Sequence, residues 1–162
     1  GLIPADVTVP AIIEKCLQSV VEGAATNARS PQDIKVVTWI TTIVTDDAAT
    51  TRDHLRRVMA MTVCAFHREL REMLGIDESR MAELQDALAN TTGPFSPTLF
   101  PNSLFDQVAI VGDAGHCTEQ IRAIENAGSH QYAVRMPAAA AALVDYSTNL
   151  QRIAEGVMPS LR

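Results

Sequence analysis

Val108-Ala-Ile-Val-Gly112-Asp-Ala-Gly115-His-Cys-Thr-Glu-Gln-Ile-Arg-Ala-Ile-Glu-Asn-Ala-Gly128-Ser-His-Gln-Tyr-Ala-Val-Arg-Met136 is the stretch that decides the fold. A short apolar run meets Gly112, and a helix opens near Asp113 or Ala114. Gly128 stops that helix in the left-handed conformation that glycine takes cheaply, and a β-rich run follows. One helix delivered into one strand is the grammar of an α/β protein.

Upstream, Ile34 to Val44 is the clearest strand. Its Ile, Val and Trp residues are dense and do not alternate cleanly with polar ones, the pattern of a strand covered on both faces in a parallel sheet. Thr45-Asp46-Asp47 then caps a predicted long helix with an apolar stripe of Leu55, Met59, Val63, Phe66, Leu70 and Leu74, ended by Gly75. A further helix is predicted to start after Asp77 and to run to about Asn90. Thr91 to Asn102, rich in Pro and Gly, is the long irregular stretch, and loops of that length are usually functional or mobile. Before the strand, a helix opened by Thr8 with Pro10 in its first turn runs to about Ala25. Gly1-Leu-Ile reads as a strand stub. After Met136 comes an Ala-rich loop, Ala138 to Ala142, and a closing helix from about Asp145 to Met158 that Pro159 ends.

With 162 residues, 47% of them hydrophobic, the chain is one domain's worth of protein with apolar residues to spare for a core. A net charge of −6 and the lack of a Lys/Arg cluster exclude a nucleic-acid partner on electrostatic grounds. No apolar run is long enough to span a bilayer. The three cysteines, Cys16, Cys64 and Cys117, are an odd number and far apart, so reduced thiols in a cytoplasmic setting are expected. No secretory signal is visible, although the chain opens on Gly.

The strands are too few for a closed architecture. Ile34 to Val44 and Gln131 to Met136 are clear, Val108 to Val111 is a third candidate, and Gly1 to Ile3 is a stub. A closed (β/α)8 barrel takes about 250 residues. The chain is therefore expected to be the C-terminal part of a barrel, with the N-terminal strands absent from it, or to pair its strands with another polypeptide.

Four segments carry a family resemblance. Pro31 to Asp47 resembles the seventh strand and following acidic cap of the luciferase-like monooxygenases. Val111-Gly112-Asp113 through Gly128 resembles that family's recurrent Gly-bounded helix, Gln131 to Pro137 its eighth strand, and Ile153 to Arg162 its chain end. Gly1-Leu-Ile matches the close of the sixth strand. The branch that looks nearest is the deazaflavin-dependent one that includes methylenetetrahydromethanopterin reductase, with FMN-dependent members beside it. The resemblance implies an α/β fold, the C-terminal part of a (β/α)8 TIM barrel that is incomplete in this chain. It implies a flavin- or deazaflavin-dependent oxidoreductase or monooxygenase that uses reduced deazaflavin (F-420 type) or FMN for hydride transfer or oxygen activation. It further implies a small-molecule substrate, a polypeptide supplying the missing strands, and a homo-oligomer when complete. The family's ring-gripping strands and phosphate loop have no counterpart here, so its cofactor site does not carry over. A non-catalytic half-barrel scaffold is the alternative.

Functional side chains in such barrels sit at the C-terminal ends of strands. That selects Thr41, Thr42 and Thr45 after the first long strand, and Arg135 and Met136 after the last. Arg135 is the leading candidate, because a guanidinium binds phosphate or carboxylate through two parallel hydrogen bonds; an ordinary ion pair is its other reading. Phe95 and Phe100, in the Pro-rich loop, are candidates to line a pocket or to pack as a lid. Gly112-Asp-Ala-Gly115 imitates a phosphate-binding turn, yet it lacks the third Gly of a dinucleotide fingerprint and the Lys of a P-loop. It reads as a helix start. Cys64 and His67 share a helix face without a second ligand pair, Ser96 and Ser103 lack a nucleophile elbow, and Asp46 and Asp47 read as caps. His54, His116 and His130 are isolated.

Overall fold

A computed structural model describes residues 2–161. In chain order it holds α1 (Pro10–Thr26), β1 (Val37–Val44), α2 (Ala48–Cys64), α3 (Arg68–Met73), α4 (Glu78–Asn90), α5 (Asn102–Phe105), β2 (Ala109–Gly112), α6 (Ala114–Asn126), β3 (Gln131–Arg135) and α7 (Tyr146–Arg152). Among the described residues the strands form one parallel sheet in the order β2-β1-β3. The α/β class is as expected, and the three strands are present with shifted bounds: β1 begins at Val37 rather than Ile34, and β2 runs from Ala109 to Gly112 rather than from Val108 to Val111. Of the predicted stub, Gly1 lies outside the described residues, while Leu2 and Ala5 form parallel bridges to Val36 and Trp39.

β1 has two different neighbours along one edge. Val37 and Trp39 donate their N–H groups to the carbonyls of Leu2 and Pro4, each at 2.9 Å, and Thr45 donates to the carbonyl of Gly112 at 2.8 Å. Segment 2–6 thus lines the first half of the edge and β2 the second. β3 takes the opposite edge, from Val37↔Gln131 to Thr41↔Arg135. Where β3 stops, the buried side chain of Asn149 on α7 continues the ladder. Its Oδ1 accepts from the Val44 N–H at 2.9 Å and its Nδ2 donates to the Thr42 carbonyl at 2.9 Å, so one amide stands in for a strand.

The two faces of the sheet are covered differently. Ile40, Val44 and Ile110 pack against Cys117, Ile121 and Ile124 of α6 and Ile13 of α1. In a (β/α)8 barrel the crossover helices ring the outside, so this is the outer face. On the inner face Ile43, Ala109 and Val111 meet Leu55, Met59 and Val63 of α2 and the phenylalanines of the Pro-rich loop. That helical excursion covers only the C-terminal half. Trp39, two residues before Thr41 on the same inner face, is 47% exposed.

The expected long helix is two helices. α2 stops at Cys64, and His67, extended at φ −68° and ψ 160°, caps α3 by accepting the Leu70 N–H on its Nδ1 at 3.3 Å. The apolar stripe runs on across the break because both helices lean on one core, so periodicity alone conceals it. Thr8 does not cap α1; its hydroxyl donates to the Asp106 carbonyl at 2.5 Å, and Val9 stands at the cap. The closing helix is α-helical only to Arg152 and widens to a π-turn at Ile153–Val157. The Ala-rich loop folds as a 3-10 turn over buried Ala140.

The Pro-rich stretch is pinned rather than loose. Buried Arg56 donates to the Phe100 carbonyl at 2.6 Å and to Asn102 Oδ1 at 2.7 Å. Arg80 donates to the carbonyls of Thr98 and Leu99, and Arg57 sits 5.4 Å above the Phe95 ring. Three arginines on two helices thereby fix a loop that has almost no secondary structure of its own.

Candidate functional site

Two chain segments end at one level of the sheet, on either side of β1. Segment 2–6 ends at Asp6, β3 ends at Arg135, and Thr41 of β1 lies between them, paired in register with Arg135. Asp6 adopts a left-handed backbone at φ +53°, a conformation that Asp tolerates better than most residues, and it donates its N–H to the Trp39 carbonyl at 2.8 Å. Its carboxylate takes an ion pair from Arg135 Nη1 through one oxygen and faces the Thr41 hydroxyl at 3.4 Å through the other.

Because segment 2–6 and β3 lie on opposite edges of β1, the Arg135 side chain crosses the inner face over Thr41 to reach Asp6. The Asp6 side chain is 11% exposed and that of Arg135 is 33% exposed. Burial raises the Asp6 pKa above its ordinary value; the Arg135 charge and the Thr41 hydroxyl pull the other way without cancelling it. The arrangement holds a guanidinium against a carboxylate where segment 2–6 and β3 end. Asp6 escapes sequence reasoning because Pro4-Ala-Asp6 reads as a polar turn. The signal that would have found it is its place directly after the apolar strand stub.

The other sequence-derived candidates are placed as follows. Thr42 is fully buried on the outer face, its hydroxyl against the Tyr132 hydroxyl, so it is not brought to Arg135. Burial pushes the Tyr132 pKa up. Thr45 Oγ1 accepts the Asp47 N–H at 3.1 Å at the turn into α2, and the Asp47 carboxylate, its pKa lowered by the Thr50 N–H, caps that helix. Phe95 and Phe100 are buried, the latter edge-on to Phe105 at 6.4 Å between centroids, and both pack into the core under α2. Met136 packs partly buried at the same core.

Gly112 to Gly115 forms a closed helix start. Asp113 accepts the His116 N–H at 2.8 Å, and the His116 ring lies over Gly112, filling the space a phosphate would need. His54 meets the Ala139 carbonyl at 2.9 Å, and His130 Nδ1 accepts the Val36 N–H at 3.3 Å. Ser96 Oγ accepts the Leu99 N–H at 3.2 Å. Among the described residues no group of His, Cys, Asp and Glu is arranged to hold a metal ion, and no helix is long and apolar enough to cross a membrane. The three cysteines are unpaired.

Comparison with known proteins gives a family and solved structures of similar fold. The sequence pattern of the family described as luciferase-like monooxygenase fits residues 1–131. No curated protein matches. Among solved structures, the coenzyme F420-dependent tetrahydromethanopterin reductase from Methanopyrus kandleri superimposes with a TM-score of 0.76 at 18% identity, covering 97% of this chain and 44% of that one. At that identity the likeness is one of fold. The chain spans less than half the length of that reductase.

Proposed function

Because the chain belongs to the luciferase-like monooxygenase family, which its match over residues 1–131 shows, we propose that it forms the substrate side of a (β/α)8 oxidoreductase. In this reading a second polypeptide segment supplies the preceding strands, the assembly works with a reduced deazaflavin or FMN, and the complete barrel forms a homo-oligomer. The observation that supports it is the convergence of Asp6, at the end of segment 2–6, and Arg135, at the end of β3, over Thr41 of β1 on the face that a barrel turns inward.

Two features support the missing complement. The backbone groups of Leu2, Pro4 and Asp6 turn to β1 and those of Ile3 and Ala5 turn away, while β3 pairs with β1 alone among the described residues. Unpaired parallel edges are normally covered. Ile3 is 61% exposed beside a groove lined by Cys16 of α1 and by Leu70 and Met73 of α3.

The residues present do not by themselves fit the cofactor's phosphate, since Gly112 to Gly115 is closed by Asp113 and His116. Its grip is assigned to the complement, and the redox chemistry belongs to the flavin or deazaflavin when bound. Within this chain Arg135 is the binding residue. Phe95 and Phe100 position the loop that roofs the mouth, and Thr42 and Thr45 hold the end of β1 behind it.

The test is the purified protein with whatever partner chain accompanies it. Flavin or deazaflavin absorbance, present at once or gained on incubation with either cofactor, is expected, together with a second polypeptide by intact mass. A monodisperse 17.5 kDa species that takes up neither cofactor supports the scaffold instead.

A further inference from the structure

The edge of β1 that faces β3 is longer than β3 itself. Val37, Trp39 and Thr45 donate to the opposite edge, so the even-numbered residues from Val36 to Val44 turn their backbone groups toward β3. At the C-terminal end the Asn149 amide takes the place of the missing rung, holding the Val44 N–H and the Thr42 carbonyl. At the N-terminal end a histidine does the same. The Val36 N–H donates to Nδ1 of His130 at 3.3 Å, while the Val36 carbonyl accepts the backbone N–H groups of His130 at 2.9 Å and Gln131 at 3.2 Å. Val36 is wholly buried.

The two stand-ins differ in one respect. An amide does not titrate, whereas an imidazole ordinarily takes up a proton at about pH 6.5. To accept from Val36, Nδ1 must be bare, so the ring is neutral with its hydrogen on Nε2. Protonation sets a second donor against the Val36 N–H, and the bond is lost with a buried donor left unmatched. His54 behaves otherwise, because its Nε2 meets the Ala139 carbonyl, a bond that a protonated ring keeps. His67 accepts the Leu70 N–H on Nδ1, but at an exposed helix start where water replaces it. The charged residues on the elements that meet His130 are Asp33 and Lys35 before β1 and Glu125 on α6; among the described residues none is ion-paired with the ring. Ser129 confines the change. Its hydroxyl accepts from Thr38 at 2.7 Å and donates to the Gln131 carbonyl at 2.8 Å, bonds that do not titrate and that hold the next rung.

We propose that His130 is an acid-sensitive latch on β3, the strand that carries Arg135. Neutral, it lengthens the β1–β3 ladder by one rung; charged, it releases the Val36 end of the sheet. The latch needs no cofactor, so its test and that of the oxidoreductase reading fail separately.

The test is amide hydrogen exchange by NMR on the purified protein, with any partner chain that accompanies it, at about pH 7.5 and about pH 5, on either side of the imidazole range. Each rate is divided by the intrinsic rate at its pH. Protection of the Val36 amide is expected to fall about tenfold at the lower pH, the size of one buried donor left unpaired. The Val44 amide, held by Asn149, keeps its protection and serves as the internal control. In His130→Asn, whose side-chain oxygen accepts in the place of Nδ1 and does not titrate, the fall at Val36 is absent. An equal fall at Val36 and Val44 reports general loosening in acid and overturns the proposal, as does unchanged protection at Val36 or a fall that persists in His130→Asn. The ring nitrogen shifts at the higher pH give a second reading: the Nε2–H tautomer is expected, and the Nδ1–H tautomer overturns the latch.

Discussion

Leu17 on α1 stands with its Cδ1 where a Cβ on Gly128 would project, so the end of α6 and the middle of α1 touch through a missing side chain. Gly128 is also at φ +102°, outside the range that other residues adopt cheaply. Gly128→Ala is therefore expected to cost about 2 kcal/mol or more, from backbone strain and overpacking together. Urea unfolding checks it, and adding Leu17→Ala separates the two causes by relieving only the overpacking.

Asn149 should be intolerant of isosteric apolar replacement. Asn149→Leu keeps the volume but strands the Val44 N–H and the Thr42 carbonyl at the end of β1, a loss of about 2–4 kcal/mol. Native-state hydrogen exchange is the direct readout, since the Val44 amide loses its protection along with the global stability. Unchanged protection at Val44 would refute the strand-mimic role.

Arg56 is buried and ties the Pro-rich loop to α2 through the Phe100 carbonyl and Asn102. Arg56→Met leaves those acceptors without a donor, and a destabilisation of about 2–3 kcal/mol is expected. Limited proteolysis should then cut between Thr91 and Pro101 at protease levels that leave the wild type whole.

Asp6 links stability to pH with an unusual sign for a paired carboxylate. Its folded pKa lies above the ordinary 3.8, so the folded state binds the proton more tightly than the unfolded state does. The stability it contributes is full below that ordinary value and falls as the pH rises through the folded value. Asp47, Glu69 and Asp145, whose pKa values are lowered by hydrogen bonds, act with the opposite sign: the stability they contribute is complete above their ordinary values and is lost as the pH falls through their folded ones. The difference between wild type and Asp6→Asn isolates it: the wild type should lose ground to the variant as pH climbs from 3.8. A flat difference would mean that Arg135 fully offsets burial.

Cys117 is buried under β1 and its pKa is pushed up to about 12 by burial and by nearby Asp113. Cys16 and Cys64 are only partly buried, with smaller rises. Iodoacetamide at pH 8 should modify two thiols in the native protein and the third only after unfolding, as counted by mass spectrometry.

What was legible in the sequence is what local chemistry dictates. β1 announced itself because its outer face and the C-terminal half of its inner face are covered and carry apolar residues, and α6 because Asp113 and Gly128 are end signals that work within a few residues. Asp77 and Asp47 were legible as caps for the same reason. The break between α2 and α3 was not, because Phe66, which lies in it, continues the apolar stripe and no Gly or Pro marks it. Asp6 was missed as a site residue for a different reason. Its importance comes from register across β1, and no local pattern records which segments meet at which level. The same holds for Asn149, an ordinary helix residue until the end of β3 exposes two backbone groups beside it.

The sharing of one β1 edge by segment 2–6 and β2 also bears on how the chain folds. Every ladder in the sheet joins segments far apart in sequence, whereas α1, α2, α4 and α6 need only their own neighbours to begin. High contact order slows folding, because loop closure must precede any gain from pairing. The sheet is therefore the last part to assemble. Until it does, β1 is an unshielded apolar strand, the kind of segment through which slowly folding chains aggregate.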